Sequence, residues 1–149
     1  MTKRICDALL ALLAGVIGFG VLFLILEFIV RITGFSILDC SPFLSRHLTK
    51  ALFNGLSEEL GKFLSIKSWK IENPYSISFG LGWSGMETFV RHNVRNDISS
   101  LRVRIAPTIL QIITAMIICY FIKRKKPVLG LLAAIVIHTG YDFLLVKTE

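Results

Sequence analysis

Three groups of ionisable residues interrupt otherwise apolar stretches of the chain: Glu58, Glu59 and Lys62; Glu87, one turn after Trp83; and His138 with Asp142. A charge at bilayer depth costs roughly 2.5–3.5 kcal/mol on insertion scales, so a chain that keeps several normally uses them for chemistry or transport. Glu58 and Lys62 are four apart and can pair on one helix face, while Glu59 is offset by about 100° and lies three from Lys62. Two adjacent carboxylates in low dielectric repel each other, the setting in which one serves as general base or proton relay. A structural ion-pair network is the plainer alternative. Glu87 alone could form an interfacial pair with Arg91. His138 and Asp142 share a face, where an aspartate can fix the imidazole tautomer for a metal or for proton transfer.

Taken together, Glu58, Glu59, Glu87 and His138 could converge on one water molecule as catalytic residues. Two routes to activating that water are open. Zinc could be held by Glu59, Glu87, His138 and Asp142 with one position left for water. A glutamate base and a histidine donor could equally act without metal.

The elements that must position these groups are helices in a membrane. The 149 residues are 54% hydrophobic with mean hydropathy +0.68, too apolar for an ordinary soluble domain of this size. Residues 8–26 and 105–122 carry no charge, each close to the ~20 residues needed to cross ~30 Å of hydrocarbon. Lys3 and Arg4 before the first run resemble a signal-peptide flank, but the run continues past Glu27 with no small-residue cleavage pattern, which predicts a retained helix. The expected fold is an all-α, polytopic transmembrane bundle of about five helices forming one domain over 1–149. The helices are predicted at 7–32, 48–66, 75–90, 103–122 and 127–146.

Loops are expected at Gly34 and Ser41-Pro42, at Asn73-Pro74, and over 91–104, the last with room for a short interfacial helix. The second helix is the least hydrophobic and must be enclosed by the others, so helices 2, 3 and 5 are expected to be mutual neighbours. Ser78, Gly80, Gly82, Ser84 and Gly85 leave helix 3 little side-chain bulk, suiting close packing or close approach of a ligand.

The net charge of +7 gathers beside apolar spans, as at Lys123, Arg124, Lys125 and Lys126, which favours lipid contact over nucleic acid. That block is read as cytoplasmic, with the N-terminus inside and the chain in the cell membrane. Cys6, Cys40 and Cys119 form no C-x-x-C pair and point to neither a disulfide framework nor a zinc knuckle.

The order E-E-x-x-K, aromatic-x-x-x-Glu, H-x-x-x-D on separate helices resembles the superfamily of intramembrane proteases that includes the CAAX-prenyl-protease/bacteriocin-processing (CPBP, or Abi) group, PrsW-like and YhfC-like proteins. The stretch 80–87 is most similar to the YhfC-like branch, with the PrsW-like branch next. The resemblance spans about 54–143. It implies a membrane protease acting on a membrane-associated peptide or protein, with Glu58 and Glu59 as the paired glutamates, Lys62 as the basic residue after them, Glu87 as the second acid and His138 as the third-motif histidine. Trp83 stands where the YhfC-like pattern commonly has histidine. Asp142 stands where the CAAX-type branch has asparagine, and a charged aspartate cannot donate to an oxyanion, so it would orient His138 or bind metal. The chain is also shorter than members of these families. Two other functions fit the same residues: a catalytically inactive scaffold holding a transmembrane partner, and a small transporter, the latter weakened by the lack of paired broken helices.

Overall fold

Five helices account for the fold in the computed structural model, which describes residues 2–33, 46–95 and 101–146. They are α1 (Thr2–Thr33), α2 (Arg46–Ser68), α3 (Ser76–Arg95), α4 (Leu101–Lys123) and α5 (Pro127–Val146), with a short 3₁₀ turn at Asn73–Tyr75. The expected loop at Gly34 and Ser41-Pro42 lies outside the described residues, as do 96–100. Within the polar stretch 91–104, residues 91–95 and 101–104 are helical, because α3 continues to Arg95 and α4 begins at Leu101. Arginine is a good helix former, and the polarity of that stretch does not itself break a helix.

Among the described residues, three segments are long and apolar enough to cross a bilayer: Thr2–Ile29, Ile105–Lys123 and Pro127–Leu144. Their outward side chains are apolar and open, with Leu24 67%, Val136 70% and Leu144 67% exposed, a surface that suits lipid and not water. The protein is an integral, multi-pass membrane protein. The two less apolar helices, α2 and α3, carry Glu58, Glu59, Lys62 and Glu87 on their enclosed sides.

Neighbouring helices form a ring. α1 packs on α3, α3 on α4, α4 on α5, α5 on α2, and α2 returns to α1, with α4 also touching α2. The expected mutual contact of helices 2, 3 and 5 therefore holds for α2 and α5 alone, since α4 stands between α3 and α5. Small residues set the closest approach: a Cβ on Gly82 would lie 2.0 Å from the Leu12 carbonyl oxygen, so α1 and α3 meet backbone to backbone there. Trp83 follows at the centre, fully buried, edge-on to Phe19 at 5.5 Å and tilted against Phe79 at 5.9 Å. It acts as a packing residue beside the charged groups.

Helices α2 and α4 end alike. Ile71 N–H bonds the Ile66 carbonyl at 3.0 Å and Lys126 N–H the Phe121 carbonyl at 2.9 Å, each around a lysine in left-handed conformation, Lys70 (φ 51°) and Lys125 (φ 58°). These are Schellman-type ends with lysine where glycine is usual.

Candidate functional site

Glu59, Glu87, Gln111 and His138 each stand at least two turns, roughly 12–15 Å at 1.5 Å per residue, from the nearest end of their helix. The polar cluster therefore lies at mid-depth in the bundle. Gly55, one turn before Glu59, lets α5 close on α2: a Cβ there would lie 2.4 Å from Thr139 Oγ1. That approach brings His138 to the paired glutamates.

Lys62 and Glu59 are both fully buried and bonded, Nζ to Oε1. Sequence spacing also offered Glu58 to Lys62, but the observed partner is Glu59, three residues away. Lys62 Nζ donates a second hydrogen bond to Thr114 Oγ1 at 2.7 Å and lies 5.9 Å from the centre of the Trp83 ring. Glu58 instead accepts from α4: Gln111 Nε2 donates to Glu58 Oε2 at 2.9 Å and to Glu87 Oε2 at 2.7 Å. One amide thus braces carboxylates from two helices. It must present its NH₂ to them, since the carbonyl would face two acceptors.

The histidine completes the cluster. His138 Nδ1 is 2.5 Å from Glu59 Oε1. An ionised carboxylate only accepts, so Nδ1 carries the proton. Nε2 then points to Glu58 Oε2 at 3.8 Å and Asp142 Oδ1 at 3.9 Å, too far for direct hydrogen bonds and suited to a bridging water. Exposure rises along the cluster: the Glu59 and Lys62 side chains are at 0%, Glu58 at 12% and Asp142 at 20%. Glu59 Oε2, Gln111 Oε1, Thr139 Oγ1 and Trp83 Nε1 are buried without a protein partner.

The structure thus gathers Glu58, Glu59, His138 and Asp142 at the α2–α5 seam, and joins Glu87 to them through Gln111. The side chain of Arg91, the alternative partner for Glu87, lies outside the described residues. Zinc is overturned: among the described residues no group of three or more His, Cys, Asp or Glu side chains could hold a metal ion. The set Glu59, Glu87, His138 and Asp142 fails because the Lys62 ammonium already holds the Glu59 oxygen that faces His138, placing a fixed positive charge where a metal cation would bind. Glu87, across the cluster on α3, is tied to the Gln111 amide.

Sequence reasoning missed Gln111 and Thr114. Their signal was present, as hydrogen-bonding side chains three apart inside an apolar span, where such groups normally seek partners on other helices. Compared with protein-family models, characterised proteins and solved structures, the chain gives no match.

Proposed function

We propose that the protein is an intramembrane protease of the cell membrane, kin to the YhfC-like or PrsW-like group, that hydrolyses a peptide bond in a membrane-associated protein. The observation that carries this reading is the two-sided environment of His138: Nδ1–H on the Glu59 carboxylate, Nε2 free to accept and facing Glu58 and Asp142 across water-bridging distances. A carboxylate behind Nδ1 fixes the tautomer and stabilises the imidazolium formed when Nε2 takes a proton. In the proposed step Nε2 or Glu58 removes a proton from the bridging water, the hydroxide adds to the scissile carbonyl carbon, and the same proton passes to the departing amine. Glu59 serves this step by orienting His138, since its Oε1 already carries Lys62 and the imidazole. Glu87 holds Gln111, and Gln111 holds Glu58.

A second reading rests on a specific feature. Complete burial of Glu59 and Lys62 is what a structural ion pair requires, and favours an inactive scaffold that binds a transmembrane partner. The two readings separate by cleavage. Purified protein is co-reconstituted with membranes from its own host, and new protein N-termini are mapped by mass spectrometry. Hydrolysis predicts termini that appear with the wild type and fall about 10²–10⁴-fold in rate with His138→Ala or Glu58→Gln. Identical termini with wild type and both variants overturn it.

A further inference from the structure

A cavity of about 530 Å³ opens at the end of the bundle where α1 begins and α2 ends, away from the mid-depth cluster. Its volume falls in the roughly 300–1,000 Å³ range of small-molecule sites. Three cations line it, Lys3 and Arg4 from α1 and Lys70 from the left-handed end of α2. Two acids face the same space, Asp7 and Glu72. Three cations against two acids leave the lining with a surplus of positive charge, and Asp7 is turned toward the Tyr75 hydroxyl, from which it accepts a hydrogen bond at 3.2 Å. Leu10, Ala11 and Ile71 give an apolar wall, and Trp69, 48% exposed, stands at the rim as interfacial tryptophans do.

We propose that this cavity binds the headgroup of an anionic phospholipid, with Lys3, Arg4 and Lys70 on the phosphate and the acyl chains leaving along the apolar wall and α1. Arginine and lysine suit phosphate recognition. The apolar wall is what selects a lipid over free phosphate.

Lys70 gives a clean test because its backbone is one that glycine adopts more readily. Lys70→Gly removes the cation while relieving the left-handed conformation, so the fold is kept. Lys125→Gly makes the same backbone change at the end of α4, outside the cavity. Binding is read in detergent by quenching of Trp69 fluorescence with headgroup-labelled phosphatidylglycerol, with labelled phosphatidylcholine as the neutral comparison. Trp83, fully buried, supplies a constant background.

The wild type is expected to prefer phosphatidylglycerol. Lys70→Gly should weaken that binding about fivefold, as should Arg4→Ala, following the usual contribution of one basic residue to anionic-lipid contact. Lys125→Gly should leave it unchanged. Equal losses for Lys70→Gly and Lys125→Gly would mean a diffuse basic surface and overturn the site. Equal quenching by phosphatidylcholine, or full competition by inorganic phosphate at the concentration of the lipid, would overturn the anionic-lipid assignment.

Discussion

Replacing Lys62 with Met keeps most of the side-chain length and removes the ammonium from a site where it is wholly enclosed. Its Nζ bonds Glu59 Oε1 and Thr114 Oγ1, and both charged side chains are at 0% exposure, so water and salt screen little of the interaction. After the substitution the Glu59 carboxylate keeps only His138, and its Oε2 is already without a partner. Removing one member of a buried pair typically costs about 3–5 kcal/mol, because the other charge is left uncompensated. Thr114 adds little, since its hydroxyl still donates to the Gln111 carbonyl at 3.4 Å. Against a total stability of roughly 5–15 kcal/mol, Lys62→Met should be folded and severely weakened.

Glu59→Gln alone leaves the ammonium with a neutral amide oxygen and should cost a comparable amount. The double variant removes both charges together. Its loss should fall short of the sum of the singles by about 2–3 kcal/mol, the coupling expected of directly bonded groups. Reversible unfolding in mixed micelles, followed by far-ultraviolet circular dichroism, measures all three. Additive losses, or a Lys62→Met cost under about 1 kcal/mol as for an exposed pair, would show that the two charges are not held together in the bundle.

Gln111→Leu takes one donated hydrogen bond from each of Glu58 and Glu87; bonds to charged groups are worth about 1.5–3 kcal/mol apiece, partly offset by removal of the unpartnered Gln111 Oε1. The same unfolding assay should show a net loss of about 1–4 kcal/mol, and no loss would mean that the amide does not brace the two acids. Gly82→Ala should disrupt the α1–α3 contact, since its Cβ would meet the Leu12 carbonyl at 2.0 Å, whereas nothing lies within 4 Å of a Cβ at Gly85. Gly85→Ala should therefore stabilise by about 0.5–1 kcal/mol; a shift of the same sign for both contradicts the packing. At the cavity end, Tyr75 is held above its ordinary value of 10.0 by desolvation and by the Asp7 carboxylate, with Glu72 adding and Arg4 opposing. Its contribution to stability is therefore full below pH 10.0 and lost as pH rises through the higher folded value. The wild type should lose stability relative to Tyr75→Phe in that alkaline range, and parallel profiles would count against the contact.

Five helices were legible because apolar runs near bilayer length admit little else, and Pro127 marks the start of α5 to the residue. The boundaries at 91–104 were not, since arginines and aspartate in sequence look alike whether they cap a helix or extend it. Which residues enter the mid-depth polar cluster was visible, Gln111 and Thr114 apart, as charges in apolar surroundings. How they pair was not, because Glu58 and Glu59 both lie within reach of Lys62 on a helix and only α4 decides between them. Gln111 takes Glu58, Thr114 receives the ammonium, and Glu59 is left as the partner of Lys62. The zinc expectation failed at the same point: counting ligands along the chain does not reveal that a lysine holds one of them.

The distribution of burial, more than the number of acids, separates a hydrolytic site from a structural one. In a network that only binds helices together, an opening to water weakens the bonds that offset the cost of burying its charges, so such a network has no use for a half-open side. This cluster encloses one side and leaves the other partly open. Lys62 and Glu59 are sealed; Glu58 and Asp142, the two acids facing His138 Nε2, are not. The sealed half fixes the imidazole through Nδ1, and the open half is where a water and a peptide carbonyl would have to enter. If α2 and α5 are cross-linked at Leu56 and Ile137, exposed residues of the two packed helices, proteolysis should stop while the Lys62–Glu59 coupling persists. Continued cleavage in the cross-linked protein would place the entry elsewhere and remove the α2–α5 seam from the mechanism.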